Sequence, residues 1–168
     1  FVQDGDAAIY VQPRQTYPLA VGDRIHIHGI TKSSFRPIIN NAEIAVLSHG
    51  PMPAAPLATY DDLIHARLDC RYVRIRGRVL WADIASSSDR PYTNLQVLVD
   101  GGTVEVQIEA NNHDALPKLL DAQVEIAGVV SGRFDGKMEM TGIVLHTQTL
   151  ADVKVLKPQQ TPPWAAPV

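Results

Sequence analysis

Polar and apolar residues alternate along several short runs in the middle and later part of the chain, and this period of two predicts β-strands. The clearest run, residues 72–80, places Val73, Ile75 and Val79 on one face. An Asp-Gly pair at residues 100–101 predicts a tight hairpin, because both residues tolerate a positive φ angle. The other runs are residues 94–99, 103–109, 122–130 and 137–147.

One short helix interrupts these strands, at residues 114–120. Asp114 can cap its first turn, and Pro117 is tolerated there because its missing N–H group is not needed. Three antiparallel strands, a helix and two more strands form the order of an OB-fold barrel, although a generic small barrel or sandwich would also fit. Gly77 and Gly128 lie within strands and favour the tight bends of a closed barrel.

The first part of the chain carries a shorter version of the same pattern. Residues 1–12 predict a hairpin, residues 22–30 predict a strand and residues 35–47 predict a further extended run. Residues 22–30 match residues 121–129 in pattern, and self-similarity at a spacing of about 100 residues suggests duplication. We therefore predict a mainly β protein of two tandem OB-fold-like small β-barrels, the first lacking its opening strand.

A Pro-rich linker and a short helix separate the two predicted repeats. Thr59 and Asp62 have the spacing of a capping box at the start of this helix. Its apolar residues, Leu63, Ile64 and Leu68, could pack between the barrels. The predicted division is a first repeat at 1–50, a linker and helix at 51–69, a second repeat at 70–156 and a Pro-rich tail or linker at 157–168.

Composition narrows the range of partners. Of the 168 residues, 45% are hydrophobic and 20% charged, as in ordinary globular proteins. A net charge of −3 gives no overall attraction to nucleic acid or to an anionic membrane. No apolar run approaches the roughly 20 residues of a membrane-spanning helix, so we expect no membrane span here. The single cysteine, Cys70, excludes an internal disulfide and Cys-rich metal sites.

A row of basic residues on one predicted strand is the first candidate binding site. Tyr72, Arg74, Arg76 and Arg78 alternate with the apolar residues and should share the solvent face. OB barrels that bind single-stranded nucleic acid combine basic grooves with aromatic side chains. Pairing with Glu125 on the neighbouring strand would explain the arginines without a ligand, and we favour that explanation.

The loop between the last two strands is the second candidate, because OB barrels often bind ligands there. It contains Arg133 and Phe134, although a plain hairpin closed by Gly136 is the simpler account. His26 and His28 alternate on one strand and could meet one metal ion, but two exposed histidines are the commoner case. No catalytic motif is present, so we expect no catalytic residue, metal or cofactor.

Several short segments resemble a known family. Phe-Val-Gln-Asp-Gly at residues 1–5, Ile-Tyr-Val at 9–11, Gly-Asp-Arg-Ile at 22–25 and Gly-Pro at 50–51 resemble the tandem OB-like modules of bacterial extracytoplasmic proteins. Such modules occur in the input regions of sensor histidine kinases and beside extracellular nucleases. The resemblance implies a non-catalytic ligand- or partner-binding module, periplasmic and tethered through a parent protein, that serves as a sensory input. The alternative is a nucleic-acid-binding module that accompanies an extracellular nuclease.

The incomplete first repeat has a consequence for partners. A barrel without one strand exposes two rows of unpaired backbone groups, which invite pairing with another strand. The missing strand could lie upstream in a longer parent protein, since Phe1 is already in mid-pattern. Residues 151–156 could instead fill the gap, or a second molecule could cover it by self-association through the open edge.

Overall fold

A computed structural model describes residues 1–33, 36–87, 90–110 and 112–159, and it confirms that the fold is mainly β. Phe35, Ser88, Asp89 and the end of the predicted tail, residues 160–168, lie outside these ranges. The strands are β1 Val2–Asp4, β2 Ala7–Ile9, β3 Val11–Pro13, β4 Asp23–Lys32, β5 Ile38–His49, β6 Tyr72–Ser87, β7 Arg90–Val99, β8 Gly102–Ile108, β9 Gln123–Phe134, β10 Met140–Thr147 and β11 Val153–Lys157. The α-helices are α1 Tyr60–Ile64 and α2 Leu116–Leu119, and short 3-10 turns cover His113–Ala115 and Leu150–Asp152.

The second repeat closes into a barrel through a ring of strand pairings. β6 pairs antiparallel with both β7 and β9, and β7 pairs antiparallel with β8. β8 then runs parallel to β10, which returns antiparallel to β9. Helix α2 connects β8 to β9 in the chain, as the sequence predicted. β11 adds to the barrel from outside, antiparallel to β9.

The first two strands of this barrel extend beyond the predicted bounds of 72–80 and 94–99. β6 and β7 continue as a hairpin in which Ile84 faces Thr93 and Ala85 faces Tyr92. The pairing register shifts between Val79 and Trp81. Such a bulge reverses which residues of the strand face the core. The alternation of buried and exposed residues that begins at Tyr72 therefore does not continue through the rest of β6.

The core lies inside the second repeat. Val73, Ile75 and Val79, predicted to share one strand face, belong to it and are wholly buried, together with Val97, Val106, Val124 and Ile126. Leu63 from α1 joins this same cluster, with Ile64 and Leu68 packed against it. Helix α1 therefore packs on the second-repeat core rather than bridging two cores. Its capping box is present: Thr59 Oγ1 accepts from the backbone N–H of Asp62, whose carboxylate accepts from the Thr59 N–H.

Two glycines mark places where barrel strands approach closely. A Cβ atom at Gly77 would collide with the carbonyl oxygen of Leu98 on β7. One at Gly128 would collide with the carbonyl oxygen of His146 on β10. These contacts are with backbone atoms, which cannot swing aside, so the barrel requires glycine at both positions.

The first repeat contains three strand pairings. β1 and β2 form an antiparallel hairpin whose turn includes Gly5 at a φ of 54°. β3 runs parallel to β5, and β4 runs antiparallel to β5. These pairings are the counterparts of β7–β8, β8–β10 and β10–β9 in the barrel. Within the described ranges, the two pairings that β6 makes have no counterpart in the first repeat.

The C-terminal strand does not fill this gap. Val153 faces Ile126 and Val155 faces Val124, which places β11 on the second repeat. Of the three ways to complete the first repeat, the one that uses residues 151–156 is therefore not realised. No helix in the described ranges is long and apolar enough to span a bilayer.

Candidate functional site

The predicted basic row lies on β6, where one carboxylate serves two of its arginines. Arg74 Nη1 donates to Glu125 Oε1 at 3.2 Å, and Arg76 Nε donates to Glu125 Oε2 at 2.6 Å. The Arg76 guanidinium, followed by that of Arg74, lowers the pKa of Glu125 below its usual value. The cross-strand pairing expected from the sequence is present, and it offsets part of the positive charge of the row.

The rest of the molecule divides this row into a covered part and an open part. The backbone N–H of Tyr72 donates to Gln3 Oε1 at 2.9 Å, under the first repeat, and burial raises the pKa of the Tyr72 phenol. Arg74 Nε donates to the carbonyl oxygen of Ala55 in the linker at 2.8 Å. Arg76 and Arg78 remain exposed. The four residues thus lie on one strand but do not line one open groove.

Arg133 and Phe134, the second candidate pair, have different surroundings at the end of β9. Arg133 Nη2 donates to Glu105 Oε2 at 2.7 Å on the barrel surface. Phe134 lies under the guanidinium of Arg36, whose central carbon is 4.7 Å from the ring centroid. Neighbouring strand residues face opposite sides, which explains the separation. Phe134 alone faces the first repeat.

Phe134 lines an open cavity between the repeats, which we call the inter-repeat cleft. Its volume is about 950 Å³. Both repeats contribute apolar and aromatic walls, including Ile9, Tyr10 and Ile38 from the first and Cys70, Phe134 and Met138 from the second. A concave site of this size with largely apolar walls is typical of small-molecule binding.

Charged groups at the cleft give it polarity as well as shape. Arg36 forms an ion pair with Asp69, and burial lowers the pKa of the Arg36 guanidinium. Arg71 Nη2 donates to Asp6 Oδ1 at 2.8 Å, which ties the barrel to the first hairpin. The buried Nε of Arg71 has no hydrogen-bond partner within the described part of the chain. This N–H group is a donor that a bound ligand could engage.

Cys70 lies in the same cleft with its backbone at a φ of 61°. Burial raises the pKa of its thiol, and the nearby Arg36 charge offsets this only in part. A thiol with a raised pKa stays protonated near neutral pH and is a weak nucleophile. The Cys70 side chain therefore forms part of the wall of the cleft and does not act as a reactive thiol.

Another cavity, of about 590 Å³, lies between the start of the first repeat and the barrel surface. His146 lines it, and the imidazole Nε2 is 2.8 Å from Ser131 Oγ across β9 and β10. Burial lowers the pKa of His146, which favours the neutral imidazole. Among the described residues no carboxylate hydrogen-bonds this ring, so the pair lacks the third group that orients the base in hydrolases.

Sequence reasoning missed the polar groups of the cleft. Arg36 and Asp69 are far apart in the chain and belong to no motif, so only the fold reveals their pairing. Sequence reasoning also missed the contact between Ser131 and His146, although the predicted pairing of the last two strands could have suggested that these residues lie close together. His26 and His28 lie exposed on β4. The described ranges contain no group of three or more side chains arranged to hold a metal ion.

Comparison with known proteins does not identify a family for this chain. No protein-family model matches it, and no curated protein is significantly similar to it.

Proposed function

We propose that this chain is a tandem OB-type module that binds a small ligand or a partner in the inter-repeat cleft and catalyses no reaction. The observation that carries the proposal is the cleft of about 950 Å³ built from both repeats. A ligand held there contacts the first hairpin and the barrel together and so fixes one repeat against the other. The ring order β6–β7–β8–β10–β9, with α2 connecting β8 to β9 in the chain, supports the OB-type assignment.

The proposed setting is the extracytoplasmic input region of a membrane-anchored sensor. Its support is the resemblance of residues 1–5, 9–11, 22–25 and 50–51 to modules of that kind. A ligand that changes how the two repeats sit together would pass its binding state along the chain. The full-length natural sequence tests this setting, because a membrane helix followed by a kinase region supports it and a nuclease region overturns it.

Nucleic-acid binding is the second candidate function. The exposed guanidinium groups of Arg76 and Arg78, on the same strand as the exposed Trp81, are the observation that favours it. Stacking on an aromatic side chain beside basic groups is how OB domains hold single strands. Two observations argue against nucleic-acid binding: the net charge is −3, and the Glu125 carboxylate accepts hydrogen bonds from the arginines of β6.

A ligand screen tests the cleft directly. Thermal unfolding would be measured with a library of small anionic and aromatic compounds, and at least one class should raise Tm through binding to the folded state. Substituting Phe134→Leu should abolish or strongly reduce the rise, since its ring forms part of the wall. Lys118→Ala, an exposed change on α2, is the matched control and should leave the rise intact. A rise that survives Phe134→Leu would place the ligand elsewhere.

A further inference from the structure

Strand β11 brings two lysines to the same surface as the arginines of β6. β9 lies between these two strands and pairs antiparallel with both. Across β9, Lys154 and Arg76 flank Glu125, while Lys157 and Arg78 flank the preceding residue on that side. Residues that face each other in neighbouring strands point to the same side of the sheet. The four exposed basic residues therefore share the outer side of three strands, which we call the basic face.

Only part of the charge of the basic face is neutralised. Glu125 is the one carboxylate in these pairings, and Arg74 and Arg76 share it, so these three residues together carry one positive charge. The other three basic residues of the face form no ion pair within the described ranges. The next acidic residues along the three strands lie beyond these positions: Asp83, Asp121 and Asp152. The face thus carries an excess of positive charge, although the net charge of the whole chain is −3.

Exposed apolar side chains border the basic face at two bulges. The pairing register shifts around residue 80 of β6 and around residue 156 of β11. A bulge places two consecutive residues opposite one partner, so these residues leave the regular alternation of buried and exposed positions. Leu80, Trp81 and Leu156 lie at the bulges and are 39%, 42% and 41% exposed. Apolar groups therefore lie next to Arg78 and Lys157 along the same strands.

Basic and apolar groups in this arrangement match the surface of an anionic lipid bilayer. Lysine and arginine reach lipid phosphates with their charged ends, while their stems and neighbouring leucine and tryptophan side chains enter the boundary between headgroups and acyl chains. Single-stranded nucleic acid instead requires a groove with several aromatic side chains. The outer side of a closed barrel is convex, and Trp81 is the one exposed aromatic residue of this face in the described ranges. The observations therefore favour a bilayer.

We propose that the basic face lies against an anionic membrane surface, with Arg78, Lys154 and Lys157 on the lipid phosphates and Trp81 among the headgroups. The contact is peripheral and involves no membrane-spanning segment. The field of a charged bilayer falls off within roughly 10 Å, so the charge of this face outweighs that of the distant parts of the molecule. No residue of the face lines the inter-repeat cleft, and the proposal therefore holds whether or not the cleft binds a ligand.

Cosedimentation with lipid vesicles tests the proposal. The probes are vesicles of phosphatidylcholine alone and of phosphatidylcholine with about one third phosphatidylglycerol. The intact chain should bind only the anionic vesicles, and added salt should weaken the binding because it screens surface charges. Lys154→Glu with Lys157→Glu should lower the partition coefficient at least about tenfold, since each basic residue near an anionic surface contributes roughly fivefold.

A matched pair of substitutions separates the basic face from the net charge. Lys32→Glu with Lys137→Glu changes the net charge equally, at exposed positions outside the face, and should alter the partition coefficient by less than about twofold. Circular dichroism checks that each variant is folded. Arg78→Gln, an exposed change on β6, gives a second measurement and should weaken binding by roughly fivefold.

Tryptophan fluorescence reports the orientation of the bound chain. The sequence has two tryptophans, so a Trp164→Phe variant reports Trp81 alone. Its emission should shift to shorter wavelength on anionic vesicles, because the indole leaves water, and should stay unchanged with phosphatidylcholine alone.

Three results would overturn the proposal. The first is an absence of binding to anionic vesicles, and the second is binding that both pairs of lysine substitutions reduce equally. The third is vesicle binding without a change in the emission of Trp81. A single-stranded oligonucleotide that binds more tightly than the vesicles, and loses affinity with Lys154→Glu and Lys157→Glu, would assign the face to nucleic acid instead.

Discussion

Ile126 is wholly buried on β9, opposite Ile75 of β6, at the centre of the barrel. Trimming it by Ile126→Ala removes its transfer free energy and leaves a cavity, so the free energy of unfolding should fall by about 2–5 kcal/mol. Ile30→Ala is the matched control, because Ile30 is 65% exposed and should change stability by about 0.5 kcal/mol or less. Urea unfolding of both variants measures the difference. A loss below about 0.5 kcal/mol for Ile126→Ala would contradict the register.

At the residue scale, the sequence predicts burial better than it predicts the site. Alternation identified Val73 and Ile75 because a strand side chain has only two directions, one of which is buried. No comparable rule identifies from the sequence the residues that line the inter-repeat cleft. Arg36 and Asp69 meet only because the repeats fold against each other, and no local pattern could join them. Phe134 was found from its loop position, yet its contact with Arg36 depends on the same packing.

The pairing of β6 with β9 makes stability depend on pH through Glu125. Because Arg76 and Arg74 lower its pKa in the folded state, the carboxylate stabilises the fold above its ordinary pKa. That contribution is lost as pH falls through the lowered folded-state pKa. The stability difference between wild type and Glu125→Gln should therefore be full at pH 7 and shrink below about pH 4. Chemical unfolding across this pH range measures it.

Arginine variants identify the cause of this pH dependence. In an Arg74→Gln, Arg76→Gln background, the further change Glu125→Gln should have a smaller effect at pH 7, since the guanidinium groups that stabilise the carboxylate are gone. An unchanged effect would mean that other groups hold Glu125 in its charged form.

At the element scale, strand order and helix position followed from the sequence, whereas strand lengths did not. The predicted end at residue 80 is wrong because β6 continues beyond the register shift after Val79, where alternation reverses. Residues 151–156 lie within the predicted second repeat at 70–156 but are predicted as a strand only for the gap in the first repeat, whereas β11 pairs with β9. The sequence of β11 is that of a β-strand whether it pairs with the first repeat or with the second. Which edge a strand joins depends on the whole fold, beyond any local preference.

The net charge of −3 of the whole molecule predicts weak electrostatic attraction to nucleic acid. Release of counterions drives such binding only when several basic groups are free, and here Glu125 engages Arg74 and Arg76. We expect weak or no binding of single-stranded oligonucleotides at physiological salt, measured by fluorescence anisotropy. Micromolar or tighter binding with a steep salt dependence, reduced by Arg74→Ala with Arg76→Ala, would instead favour the nucleic-acid function.

The two repeats should also differ in how well they protect their backbones. The barrel is a closed ring of pairings, whereas β1 and β4 of the first repeat each have an unpaired edge in the described chain. Unpaired edges and incomplete burial lower the free energy of local opening, which speeds amide exchange. In a dilute monomer, amides from Val2 to Ile30 should therefore exchange faster than those from Val73 to Val130. Ile25 against Val124 is the sharpest comparison, because the two occupy equivalent positions and only Val124 is wholly buried. Equal protection would show that the first repeat closes from within the chain, and that β4 has a partner besides β5.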